Sequence, residues 1–288
     1  MSGLLVIIFV QLFSNYLLDE FYCFKNSWLI NNFRRLFNPF LNNLKYFFFI
    51  CSFVLCLPAW SHDAETLQVI EKIHDHETFS SHAHLGWESR YSSEGRDALD
   101  GQSISNSSLE LGYDHFCFGI WYGMSSNYQY EEWQYSFAVT QETLGIEYYF
   151  GYTHLIFPKL NESDDEWSVG ISYDELPNGF KSSLDGYYSM DAGGTFFEWS
   201  IGKGYDLGED LELSLSGTLG WNEDYVSDGH DGLNFFSLRT GVEKTISQNL
   251  SIIAYGNSSV AINQDISQPG DDLLKDFLYF GLGLEWDF

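Results

Sequence analysis

Leu278-Tyr279-Phe280-Gly281-Leu282-Gly283-Leu284-Glu285-Trp286-Asp287-Phe288 decides the fold. Every second residue is apolar: Leu278, Phe280, Leu282, Leu284, Trp286 and Phe288. Those between are Tyr279, Gly281, Gly283, Glu285 and Asp287. A strand sends alternate side chains to opposite faces. The stretch therefore predicts a strand with one wholly apolar face and one small or acidic face.

The same period of two runs upstream to about residue 81. Ala83, Leu85 and Trp87 alternate with His84, Gly86 and Glu88. Phe116, Phe118, Ile120 and Tyr122 alternate with Cys117, Gly119 and Trp121. Leu211, Leu213 and Leu215 alternate with Glu212, Ser214 and Ser216. Counted this way, the chain holds about twelve strands, an even number. The expected connections alternate in length. Longer ones fall near 93–104, 126–132, 159–166, 222–232 and 263–276, with a shorter one at 191–194. On the other side they fall near 114–115, 140–143, 174–179, 206–210 and 246–249. The longer set holds most of the acid, including Glu94, Asp97, Asp100, Glu162 to Glu166, Glu223, Asp224, Asp228, Asp231, Asp265, Asp271 and Asp272. A soluble sandwich has no reason for this two-sided asymmetry. A closed antiparallel transmembrane barrel does, and closure satisfies every backbone group in lipid. Tyr and Trp near strand ends suit its two interfacial girdles: Trp87, Tyr91, Tyr113, Trp133, Tyr152, Trp167, Tyr173, Trp199, Trp221 and Trp286.

The terminal strand resembles the signal by which bacterial outer-membrane barrels are recognised for insertion, with Gly283, Trp286 and Phe288 at the matching places. That resemblance implies a Gram-negative-type outer membrane, its lipids and lipopolysaccharide, and the barrel-assembly machinery as partners. Deleting Phe288 is expected to impair assembly; normal folding in the soluble periplasmic fraction would contradict this. Near the start, Lys45 precedes an apolar run from Tyr46 to Leu57, then Pro58-Ala59-Trp60-Ser61. This reads as a signal peptide over 44–61, too short for a comfortable membrane helix. Residues 1–43 read as a mis-called extension, with Leu44 as the true start, or as an upstream anchor. Residues 62–80 read as a periplasmic tail or partial plug, and 81–288 as the barrel. Cys51 and Cys56 follow Ile50 and Leu55, not the small residue a lipid-attachment site needs. Cys117 is the only mature cysteine, so no intramolecular disulfide is expected.

Four of the 13 Lys+Arg and two of the 41 Asp+Glu precede residue 62, leaving residues 62–288 a formal net charge of −30. Such a surface repels nucleic acid and favours cations. On the strand registers, Glu88, Arg90, Glu110, Glu147, Glu198, Glu212, Arg239, Glu243, Glu285 and Asp287 face inward. Two readings follow. One is a narrow, cation-preferring pore, since carboxylates lining a pore attract cations. The other is a closed structural or interaction barrel whose acidic outer loops bind divalent cations or a partner. His82 and His84 share a strand face and are weak metal candidates, since two ligands do not make a site. The acid-rich loops lack the spacing of a calcium loop and read as solvated. No cofactor is implied. A barrel lipase would need His and Ser two apart, and no His-x-Ser occurs.

The runs Gly86-Trp87-Glu88-Ser89-Arg90-Tyr91-Ser92-Ser93-Glu94-Gly95, Phe118-Gly119-Ile120-Trp121-Tyr122 and Glu147-Tyr148-Tyr149-Phe150-Gly151-Tyr152-Thr153, with the terminal strand, resemble the TorF-type porins. The resemblance covers 81–288 and implies an outer-membrane barrel for passive diffusion of small solutes, without catalysis. It names no solute. The long N-terminal extension and the acidic balance depart from that family.

Overall fold

The computed structural model describes residues 79–288. The expected extension and signal peptide lie outside the described residues, as does the expected tail except Phe79 and Ser80, which begin the first strand. In chain order the strands are β1 (Phe79–Glu88), a short ribbon of β2 (Ser92–Ser93) and β3 (Arg96–Asp97), β4 (Ile104–Tyr113), β5 (Phe116–Ser125), β6 (Glu131–Thr143) and β7 (Ile146–Phe157). Then come β8 (Glu162–Leu176), β9 (Phe180–Ser189), β10 (Thr195–Gly208), β11 (Leu211–Glu223), β12 (Gly232–Ser247), β13 (Leu250–Ala261) and β14 (Phe277–Asp287). Twelve of them, β1 and β4 to β14, form one closed antiparallel barrel in which each strand pairs with its neighbours in sequence. Closure runs between β1 and β14, in register from His82 opposite Asp287 to Glu88 opposite Gly281.

On the outside of β14, Leu278, Phe280, Leu282, Leu284 and Trp286 are exposed, Leu282 at 57%, while the alternate residues are covered. Leu85, Phe118, Ile120, Phe150, Leu238 and Ile252 extend this apolar belt around the barrel. A belt of this extent is stable only against hydrocarbon. Outward aromatics edge it. Trp133, Tyr152 and Trp167 lie toward the long-loop rim, and Trp167 packs against Phe150 and Tyr152. Tyr113, Tyr173 and Trp286 lie toward the short-turn rim. Tyr91 does not belong to either girdle. It lies past the end of β1 and packs on Trp121, which faces the interior.

The short-turn rim is tighter than the sequence suggests. Turns span 114–115, 144–145, 177–179, 209–210 and 248–249. Strands β6, β8, β10 and β12 continue to Thr143, Leu176, Gly208 and Ser247. Their last residues have left the hydrocarbon, so apolar alternation fades while backbone pairing goes on. Leu144 and Gly145 both take positive φ, 57° and 73°, as a two-residue hairpin with twist-matched strands requires. At the other rim six loops span 89–103 (loop 1), 126–130 (loop 2), 158–161 (loop 3), 190–194 (loop 4), 224–231 (loop 5) and 262–276 (loop 6). Glu162 to Glu166, expected in a loop, are the first turnless residues of β8.

Candidate functional site in the barrel interior

The interior is the concave surface available for function. Register sets its lining. Glu88 and Glu110 face inward on β1 and β4, Glu147 on β7, Glu198 on β10, Glu212 on β11, Arg239 on β12 and Glu285 on β14. Arg90 does not join them. β1 ends at Glu88, and Arg90 lies in loop 1, paired with Asp97. Gly283 faces inward against His84 and Ile253, and Trp286 faces outward with its ring 5.1 Å from Phe288. The backbone N–H of Phe288 donates to Ser81 O at 3.1 Å, extending the seam. His82 Nδ1 lies 2.8 Å from Asp287 Oδ1. Among the described residues no three metal-ligating side chains converge.

Toward the short-turn rim the lining is a ring of carboxylates. Asp206, Glu212 and Glu243 are direct neighbours across β10, β11 and β12. Glu142 and Glu147 are direct neighbours across β6 and β7. Asp174 on β8 takes an ion pair from Lys181 on β9, at 3.2 Å. Like charges placed directly opposite destabilise a sheet. Such pairs are tolerable where water and counter-ions reach them, and Glu142, Asp206 and Glu212 are exposed.

Midway, rings fill space left by glycine. A Cβ on Gly281 would strike the Tyr255 ring, and one on Gly170 would strike Tyr149. Arg239 stacks over Tyr255, 3.5 Å from its centroid. Tyr149 donates to Asp185 Oδ1 at 3.0 Å.

At the long-loop rim loops fold into the interior. Loop 1 crosses the lumen. On one side Tyr91 stacks on Trp121 and donates to Glu132 Oε2 at 2.8 Å. On the other, Gly95 lies so close to Phe235 that a Cβ would collide with the ring. Glu132 is on β6 and Phe235 on β12, six strands apart whichever way one counts. Loop 5 reaches across too, for Tyr225 donates to Glu166 on β8. Loop 6 seats Leu274, 0% exposed, on Phe196 and Phe235.

One polar knot joins the three loops. Asp271, 0% exposed, accepts from Arg96 Nη2 (3.1 Å), the His230 N–H (3.2 Å) and the Asp265 N–H (2.8 Å), and His230 Nδ1 lies 2.5 Å away. Arg96 also donates to Asn234 Oδ1 (2.8 Å) and Gly270 O (2.7 Å). Burial acts to raise the Asp271 carboxyl, but the Asp265 and His230 donors outweigh it and hold the group below the usual range. Burial pushes the Glu94 carboxyl up, against the Ser93 hydroxyl and the Arg96 charge. Burial, and then the nearby carboxylates, push the Tyr91 and Tyr225 hydroxyls up, so they stay neutral donors. The loops are solvated, as their acid content suggests, at Asp100, Asp224, Asp228, Asp231, Asp265 and Asp272, but not at Asp97 and Asp271. Asp97 and Asp271 are fully buried, because Arg96, Arg90 and the loop N–H groups supply donors. The one sequence signal was local: Arg96 stands in an otherwise acidic stretch next to Gly95.

The apolar belt, the girdles and the alternation of tight turns with longer loops define a transmembrane β-barrel of the bacterial outer membrane. No protein-family model and no curated protein matches the chain. Among solved structures it is similar to the KdgM porin, at 6% identity over 73% of this chain and 99% of that one, with a TM-score of 0.49. It is also similar to the NanC porin, at 10% identity over 72% and 98%, TM-score 0.48. A further similarity is to the outer membrane phospholipase A from Escherichia coli, at 14% identity over 72% and 89%, TM-score 0.38. These likenesses are of architecture and carry no function across.

Proposed function

We propose that this protein is a narrow outer-membrane channel for passive diffusion of small solutes, with a weak preference for cations. The observation that carries the reading is the carboxylate ring: Asp206-Glu212-Glu243 and Glu142-Glu147 sit as in-register like-charge neighbours on an inward, water-accessible face. A barrel with only structural duties gains nothing from that cost, whereas a lumen that admits cations does. Membership of the TorF-type porins is the finer form of the same proposal and rests on the sequence runs named above. The reading includes no catalysis. His154 and Asp165 pair at 2.7 Å on the outward face, but acyl transfer also needs a nucleophile in reach of the histidine, and the sequence lacks His-x-Ser.

Loop 1 spanning the lumen favours a second reading, the closed interaction barrel with acidic outer loops. Planar-bilayer recordings of the purified protein decide between them. The channel predicts discrete conductance steps from the native protein or from one whose loop knot is broken. No current from either, with folding shown by heat-modifiable gel mobility, leaves the closed barrel.

A further inference from the structure

Immediately inside the Phe196–Phe235–Leu274 cluster the wall turns polar. Thr218 on β11 lies opposite Ser200 on β10 and Ser237 on β12, and Ser237 lies opposite Ser259 on β13. All four face inward in one row across the sheet. All are buried: Ser200 is 2% exposed, Thr218 0%, Ser237 2% and Ser259 1%. Among the described residues, Thr218 Oγ1, Ser237 Oγ and Ser259 Oγ have no hydrogen-bond partner. Neither does Asn257 Oδ1, one inward position along from Ser259, although Asn257 Nδ2 donates to the Tyr279 hydroxyl at 2.8 Å.

One orphan hydroxyl is an accident of packing. Four neighbouring orphans on three adjacent strands are a surface. Buried polar atoms without partners oppose folding, and a row of small apolar residues would fill the same space without that penalty. Beside them stand the wall rings Phe277 and Tyr279, and on the Phe196–Phe235 pair at their rim side sits Leu274 of loop 6, held down by the Arg96–Asp271 knot. A polar row beside a removable loop suits a lumen that opens.

We propose that Ser200, Thr218, Ser237, Ser259 and Asn257 form a binding track for an uncharged polyhydroxyl solute, a saccharide or polyol, reached when loops 1 and 6 withdraw. This rests on the channel reading. A hydroxyl both donates and accepts, so a row of them matches a solute presenting the same groups. Strand spacing of about 4.8 Å lets one such solute bridge neighbouring strands. The row itself holds no charge, and the charged inward groups that border it, Arg239 opposite Asn257 and Glu198 one inward position from Ser200, are of opposite sign. Asp206, Glu212 and Glu243 lie on β10, β11 and β12, three of the row's four strands, toward the short-turn rim and repel anions.

The test is single-channel recording of the full-length protein and of its Asp271→Ala variant in KCl, with raffinose, sorbitol or a polyethylene glycol of matched hydrodynamic size. Raffinose or sorbitol should reduce the current at concentrations at least tenfold below those at which the glycol does. Block by raffinose alone assigns the track to saccharides, and block by both assigns it to polyols generally. The triple variant Thr218→Val, Ser237→Ala, Ser259→Ala, in the same background and folded by gel mobility, should lose this advantage. Ser258→Ala, on the outward face beside Ser259, should keep it. Equal block by the glycol, or block unchanged in the triple variant, overturns the track and leaves the channel standing. No current from either protein overturns the channel reading, and the track with it.

Discussion

Replacing Asp271 by Ala should convert a mostly closed barrel into a mostly open one, seen as a several-fold rise in mean bilayer current. The carboxylate is fully buried and receives loop 1 through Arg96, loop 5 through His230 and its own loop through Asp265. Removing one partner of a buried ion pair costs about 3–5 kcal/mol, because the other charge stays behind unpaired. At about 1.4 kcal/mol per tenfold, the ratio of seated to released loops falls by at least about a hundredfold. Trypsin gives an independent reading. Arg96 and Lys275 sit within the seated loops, and both should become cleavable in the variant. Conductance and cleavage unchanged from the native protein would mean that apolar seating of Leu274, and not the knot, holds the loops.

Acid should do the same more gently. Asp271 has a depressed pKa, so its contribution to the seated state is present above the ordinary aspartate value near 3.9 and is lost as pH falls through the lower, seated value. Glu94 has the opposite sign. Its pKa is raised by burial, so its support for the seated loop is complete in acid and is lost as pH rises through the raised value. Mean current should therefore climb below about pH 4 in the native protein. The acid-induced rise should be absent from the Asp271→Ala variant.

The barrel was legible in the sequence because lipid imposes one rule on every strand. Leu278 to Phe288 could be read alone, and the long and short connections fixed which rim was which. The strand ends at Thr143 and Leu176 were not legible, since beyond the hydrocarbon nothing forces Gln141 or Glu175 to be apolar. Alternation was carried two residues too far at Arg90, where the chain leaves β1 to cross the lumen. The loop knot was hidden for another reason. Asp97 and Asp271 are the residues a solvated loop would also use, and only their contacts separate the two cases: Arg90 within the same loop for Asp97, and Arg96 far off in the chain for Asp271. The hydroxyl row was hidden because it is a property of register. Thr218, Ser237 and Ser259 each look like an ordinary inward residue until β11, β12 and β13 are laid side by side.

Charge selectivity is where the inner lining makes its largest measurable difference once the loops are released. Around the short-turn rim the inward carboxylates include Glu142, Glu147, Asp174, Asp206, Glu212 and Glu243, and Lys181 is an inward cation among them. A charge in a wet lumen is screened over roughly 10 Å at 0.1 M salt and roughly 3 Å at 1 M. The released channel should therefore pass K⁺ over Cl⁻ by about severalfold in 0.1 M salt, and the preference should shrink toward unity at 1 M. Glu212→Gln with Glu243→Gln should weaken the preference most. The two stand directly opposite each other, so neutralising both removes a focused charge and also relieves a repulsive pair. The double variant should consequently fold at least as well as the native barrel. Glu198→Gln should do less, since Glu198 lies higher, between Asp185 and Gly220 and close under the seated loops. A reversal potential across a salt gradient that reports anion preference in the released channel would reject the carboxylate ring as the selective element. A cation preference untouched by the double Gln change would move that role to the Glu94, Glu132 and Glu166 carboxylates at the loop rim.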